Sequence, residues 1–218
     1  YPRERANTGL WTSKINSYIP VLQWLRQQPE LAPHLPEPLP TLSGAFFCQD
    51  SAQILLLYAF LAGRVLPDNA LLPAQVETFA RLTATLHKLP CASPPCPPSE
   101  SEDYAALFLP ELEGLLAGNW EYRLSAEVWR MARPFAGPIR QRALQLSQLQ
   151  ATLRESKPPI VLCHTDLHHW NLMNCSGRLV ILDWEGLRRA PAESDLMFIL
   201  SLPYAAEFMR VYQEQRPD

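Results

Sequence analysis

Lysine, glycine and long apolar runs are what this 218-residue chain has least of, and each shortage removes a class of function. Lysine occurs only at Lys14, Lys88 and Lys157, and the 19 basic residues are outnumbered by 22 acidic ones. With a formal charge of −3 there is no basic face for a phosphate backbone, so DNA and RNA are not expected partners. The eight glycines nowhere form G-x-G, so the sequence holds no glycine-rich phosphate loop. No stretch approaches the roughly 20 apolar residues of a membrane span, and the first residues carry no signal-peptide pattern. A soluble, cytoplasmic protein without a membrane partner is expected. The five cysteines, Cys48, Cys91, Cys96, Cys163 and Cys175, are odd in number and irregular in spacing. That argues against a secreted disulfide framework and for free thiols, although Cys91 and Cys96 are near enough in sequence to pair.

Proline, by contrast, is abundant at 22 residues and must break the chain into many short elements. Residues 1–13 show no clear period and begin without an initiator Met, which reads as the edge of a fragment. Ile15, Ile19, Leu22 and Leu25 recur at helical spacing, interrupted by Pro20, and predict a helix over 15–25. The proline-rich segment 29–40 excludes a helix. Residues 41–47 and 53–60 predict a hairpin of two strands across a polar turn at 48–52, ended by Gly63. Val76, Phe79, Ala80, Leu82, Ala84 and Leu86 share one side of a helix expected over 73–89, with Lys88 in its last turn as the helix dipole prefers. Residues 91–103 read as a mobile loop in which Glu100, Glu102 and Asp103 form a solvated acidic run rather than a cation-binding rim. Helices are expected over 103–116, 123–133, 138–155, 192–202 and 205–213. Residues 159–183 read as strand, loop, strand, turn at Ser176-Gly177, strand. No internal repeat is visible.

Those last strands carry the chemistry. His164-Thr165-Asp166-Leu167-His168-His169-Trp170-Asn171 has the spacing H-x-D-x-x-x-x-N between two apolar runs, and Asp183 ends a third. Phosphoryl transfer needs this set: one carboxylate beside the attacking hydroxyl, and an Asn and a second Asp to hold the Mg²⁺ that bridges nucleotide phosphates. Asp166 is therefore the candidate catalytic base, and Asn171 and Asp183 are the candidate metal ligands, both offering the oxygens Mg²⁺ prefers. His164 reads as a brace of the loop rather than a proton carrier, because Asp166 already fills that role. A zinc site from Cys163, His164, His168, His169 and Cys175 is disfavoured, since the H-x-x-x-H pair suits a helix and this segment reads as a loop. His169 lines the substrate cleft or packs, Trp170 is expected to pack, and Glu185 either faces a cationic substrate or is solvated.

At these residues the chain resembles the aminoglycoside phosphotransferase and choline kinase group. Its loop is similar to that family's H-G-D-L-H-x-x-N. Leu182-Asp183-Trp184-Glu185-Gly186, Ala190-Pro191-Ala192-Glu193-Ser194-Asp195-Leu196-Met197-Phe198 and Pro38-Leu39-Pro40-Thr41 resemble the spectinomycin phosphotransferase branch. The resemblance implies an α+β, protein-kinase-like two-lobed fold, with a partial N-terminal lobe over 1–62 and a helical C-terminal lobe over 63–218. It implies a hinge at 58–61, where adenine would bond the backbone of Ala59 and Leu61, and a buried Asp195 bracing the catalytic loop. The implied activity is a small-molecule kinase using ATP or GTP with Mg²⁺ on an aminoglycoside- or aminocyclitol-like substrate. Choline, homoserine and sugar-like metabolites are alternative acceptors. No lysine lies in a strand where the family holds phosphate, and Asn16, Ser17 and Tyr18 stand where its partner Glu is expected. Either the first strands precede Tyr1, or the chain is a degenerate kinase that binds without transfer.

Overall fold

The computed structural model describes residues 8–49, 53–66, 71–91, 100–118 and 123–216. They form two compact units, one made of Tyr1–Ser101 with Pro159–Asp218 and the other of Glu102–Pro158. The lobe boundary expected at 62/63 falls inside the first unit.

In the first unit, helix α1 (Thr8–Leu25) starts seven residues ahead of its expected position and runs straight through Pro20. Pro20 is exposed, so its ring lies away from the core and its missing amide removes a single intrahelical bond. The opposite stripe buries Ile15, Tyr18, Ile19, Leu22 and Leu25. The expected hairpin is present but displaced. Strands β1 (Pro38–Leu39), β2 (Cys48–Gln49), β3 (Ile54–Leu55) and β4 (Leu57–Tyr58) pair antiparallel as β1 with β4 and β2 with β3. Residues 41–47, read as a strand, instead turn back: Thr41 N–H bonds Ala45 O at 2.7 Å and Gly44 N–H bonds Thr41 O at 2.9 Å. The polar Cys48-Gln49 supplies the strand that the apolar residues were expected to supply. Of the turn expected at 48–52, residues 50–52 lie outside the described residues.

Gly63 leads into β5 (Arg64–Val65), which joins β7 (Leu172–Cys175) and β8 (Arg178–Ile181) in one antiparallel sheet. A side chain at Gly63 would strike Asn174 O and Cys175 Sγ, each 2.6 Å from the Cβ position, so glycine is what lets β5 approach β7. Helix α2 (Pro73–Lys88) matches its expected span and buries all six apolar residues of the predicted face. It packs on the C-terminal helix α7 (Ala205–Gln215), where Phe79 and Phe208 meet edge to face at 5.1 Å. Between them in sequence lie β6 (Val161–Cys163), its antiparallel partner β9 (Arg188–Ala190), and α6 (Glu193–Ile199).

The second unit holds α3 (Leu109–Ala117), α4 (Arg123–Ala132) and α5 (Ala136–Ser156). Helix α3 begins later than expected: 102–106 are irregular, with the Tyr104 and Ala105 amides bonded to the Glu102 and Asp103 carboxylates, both at 2.8 Å, and a turn at 107–108 leads into the helix. Two of the three acids of the expected solvated run thus cap backbone. Most of the loop expected over 91–103, including Cys96, lies outside the described residues. Cys48, Cys91, Cys163 and Cys175 are free.

Candidate active site

Strand β6 delivers the chain into a turn that its sequence alone would not hold. Thr165 is β-branched yet sits at φ 71°, a conformation that is strained for such a residue. Asp195, on the first turn of α6 and fully buried, fixes it. Its carboxylate accepts the His164 amide at 3.0 Å and the Thr165 amide at 2.5 Å. A third bond comes from α2, where His87 Nε2 lies 2.9 Å from Asp195 Oδ2. His87 Nδ1 meets the Tyr212 hydroxyl of α7 at 2.8 Å, and that hydroxyl accepts from Arg216 Nη1 at 2.9 Å. Two helices and the C-terminal segment thus converge on one carboxylate, which in turn holds two consecutive amides of the loop. Such a fully partnered buried network is rigid. Cys163 completes the buried side, its thiol donating to the Ala190 and Pro191 carbonyls at 3.5 and 3.3 Å and pushed strongly toward the neutral form by burial.

His164 ties the two acidic segments together. Its Nε2 donates to Leu182 O at 2.7 Å, and its Nδ1 accepts the Asp166 amide at 3.2 Å. The bond accepted at Nδ1 requires the neutral ring, and complete burial depresses the pKa of His164 below the ordinary histidine range. Leu182 is held from its other side as well, since its amide donates to Asn171 O at 2.8 Å. The residue before Asp183 is thereby clamped to both ends of the Asp166 loop. Asp183 itself adopts φ 60° and ψ 60° and is exposed. Gly186 closes the far side: Thr165 Oγ1 donates to Gly186 O at 2.9 Å, and a Cβ at Gly186 would collide with Thr165 Oγ1 and His164 O.

On the open side, Asn171 Nδ2 donates to both Asp166 O and Asp166 Oδ2 at 2.9 Å, which turns its Oδ1 away from Asp166. His168 Nε2 stands 3.3 Å from Asp166 Oδ1. A cavity of about 290 Å³ opens beside Asp183, bounded by Tyr18, Leu56, Tyr58, Trp184 and Glu185. Tyr18 and Tyr58 share a hydroxyl–hydroxyl bond of 3.0 Å across it, and burial raises the pKa of both phenols. Glu185 pairs with Lys14 of α1 at 3.3 Å, and Lys14 also lies over the Trp11 ring at 4.7 Å.

With this geometry in place, comparison with known proteins is decisive on one point. Residues 5–216 match the model of the phosphotransferase enzyme family, APH. The chain belongs to that family. No curated protein sequence matches it. Among solved structures it is similar to a spectinomycin phosphotransferase in complex with ADP and spectinomycin (TM-score 0.61, 19% identity, 94% of this chain and 63% of that one). It is similar to an amicoumacin kinase in complex with AMP-PNP and Ca²⁺ (0.58, 16%, 97% and 62%). A microcompartment-associated aminopropanol kinase is a third (0.55, 14%, 99% and 68%). The chain spans less than two thirds of the length of the first two. At these identities the likeness is one of fold, and the α+β, protein-kinase-like architecture that the resemblance implied is the one found.

In this phosphotransferase-family chain, Asp166 and Asn171 are in direct contact, and Asp183 is tied to them through Leu182. Ala59 and Leu61 lie on the segment between β4 and β5, with the Ala59 amide bonded to Glu37 O at 2.8 Å. His164 braces the loop, as its sequence context suggested, and Asp195 braces it as the resemblance implied. Trp170 differs from expectation: it is 65% exposed instead of packed. The sequence reading passed over His87, Tyr212 and Lys14. A usable signal existed for His87, which continues the buried series Val76, Ala80, Thr83 along α2 at helical spacing. Nothing local marks Tyr212 as the partner of His87 or Lys14 as the partner of Glu185, which lie 125 and 171 residues away.

Proposed function

We propose that this protein is a small-molecule kinase that moves the γ-phosphoryl group of ATP or GTP onto a hydroxyl of an aminoglycoside- or aminocyclitol-like acceptor. The observation that carries the reading is the clamp on Leu182. Its two hydrogen bonds, to His164 Nε2 and Asn171 O, hold Asp183 in register with the Asp166–Asn171 pair across 11 residues of intervening sequence. Asp166 orients the acceptor hydroxyl and takes its proton. Asn171 Oδ1, left over once its amide nitrogen is committed to Asp166, and the exposed Asp183 carboxylate are hard oxygen donors that fit Mg²⁺. Mg²⁺ held there would neutralise charge on the nucleotide phosphates. Adenine would bond the backbone of 59–61, through the Ala59 carbonyl, because the Ala59 amide is already used, and through Leu61. Neighbours that act on spectinomycin, amicoumacin and aminopropanol support an amine-bearing alcohol as acceptor.

The test is nucleotide consumption with Mg²⁺ over a panel of spectinomycin, aminoglycosides, 1-amino-2-propanol, choline and homoserine. Consumption that depends on an acceptor is expected, and Asp166→Asn should lower it about 10²- to 10⁴-fold. Undiminished turnover in that variant would remove Asp166 from its role. Nucleotide binding without consumption for every acceptor would leave a binding protein in place of an enzyme.

A further inference from the structure

Beside Asp166 the surface is aromatic where solvent-facing polar groups would be ordinary. The 3-10 turn His169–Asn171 turns Trp170 outward, leaving it 65% exposed, whereas Trp24 and Trp184 keep 7% and 3% of their surface. Trp170 stands in a cluster of rings. It lies 5.7 Å from the His169 ring and 6.3 Å from the His168 ring, and His168 is 6.2 Å from Phe198 of α6. Edge-to-face packing at these distances fixes the rings against one another. Met197 and Leu200, flanking Phe198 on its helix and at its end, are each 58% exposed. The same His168 stands 3.3 Å from the Asp166 carboxylate, so the ring cluster and the candidate base share a residue.

We propose that Trp170, backed by His168 and His169, is the shelf on which the phosphate acceptor lies, and that the acceptor is an alcohol carrying a ring or comparable apolar face near its hydroxyl. This rests on the kinase reading above and narrows its substrate class. A large rigid aromatic surface left open beside a carboxylate gains free energy only when something apolar covers it. Continuity with Asp166 makes a small molecule presenting its hydroxyl there the occupant. A purely hydrophilic alcohol would reach Asp166 and leave the indole wet.

The probes are 2-amino-1-phenylethanol and 2-aminoethanol, which share the amino-alcohol and differ by one ring. Binding of each to the full chain is measured by titration calorimetry and saturation-transfer NMR, with Mg²⁺ and AMP-PNP binding titrated separately. The wild type should bind the phenyl probe about tenfold more tightly. Trp170→Ala should erase that preference and Trp170→Phe should retain most of it, with nucleotide affinity unchanged in both. Equal binding of the two probes, no binding of either, or a preference that survives Trp170→Ala overturns the shelf. A wild type that binds no nucleotide yet shows the ring preference sinks the kinase reading and leaves the shelf standing as an aromatic-alcohol site. Unaltered melting of Trp170→Ala is the check that a lost preference is local, and Trp170→Phe carries the test if that variant does not fold.

Discussion

The two faces of the segment from Cys163 to Asn171 obey opposite rules. Toward the core, Asp195, His87 and His164 are fully buried or nearly so and each has at least two hydrogen-bond partners. Toward solvent, Asp166, Asp183 and Trp170 are half or mostly exposed, and the carboxylate of Asp166 is held by Asn171 and His168 of its own loop. The inner face holds geometry and the outer face leaves chemistry free. A buried carboxylate is tolerated because backbone amides and an imidazole replace its water. A half-exposed one such as Asp166 keeps a face open to solvent, and so to a ligand, beside its loop partners Asn171 and His168.

Removing Asp195 should break this division most severely. Asp195→Ala leaves the His164 and Thr165 amides without acceptors and Thr165 strained, and we expect a loss of about 3–5 kcal/mol in chemical denaturation. Asp166→Asn is its mirror: stability within about 0.5 kcal/mol of wild type, while acceptor-dependent turnover collapses. A variant pair that lost both properties together would show the two faces to be one unit.

Tyr212→Phe should cost about 1 kcal/mol by taking the hydroxyl from His87 and Arg216. It sharpens the comparison by asking how far the inner face extends: nucleotide affinity unchanged would end it at His87. The inner face should also be the acid-sensitive one. Burial lowers the folded pKa of His164 from its ordinary 6.5, so below about pH 6.5 the unfolded chain takes up a proton that the folded chain does not. Stability on this account is full above pH 6.5 and is lost as pH falls toward the folded value. In thermal melts from pH 8 to 5, His164→Gln should show a shallower decline than wild type. Equal slopes would mean that His164 is not the group responsible. The smallest effect belongs to Lys14→Met, whose partly exposed pair with Glu185 should contribute less than about 1 kcal/mol.

How much of this was legible beforehand varied with the range of the interaction. Helix α2 could be read because its buried face repeats every three to four residues over 16 residues, and β6 to β8 because apolar runs flank a Ser-Gly turn. Strands β5 and β9 could not, since they are two and three residues long and pair with partners far along the chain. Residues 41–47 misled because apolar character was mistaken for strand, whereas Thr41, Ala45 and Gly44 close a turn by local hydrogen bonds.

The sequence by itself determined the order of the chemical groups, His164, Asp166, Asn171 and Asp183, and the helices whose spacing encodes one buried face. Tertiary structure alone decided that His87 from α2 and Tyr212 from α7 meet at Asp195, that Lys14 reaches Glu185, and that Trp170 faces solvent. The reason is physical. Periodicity records which side of a local element leaves water, but a buried polar atom takes whichever partner the folded chain brings within about 3 Å, and sequence distance does not enter that choice.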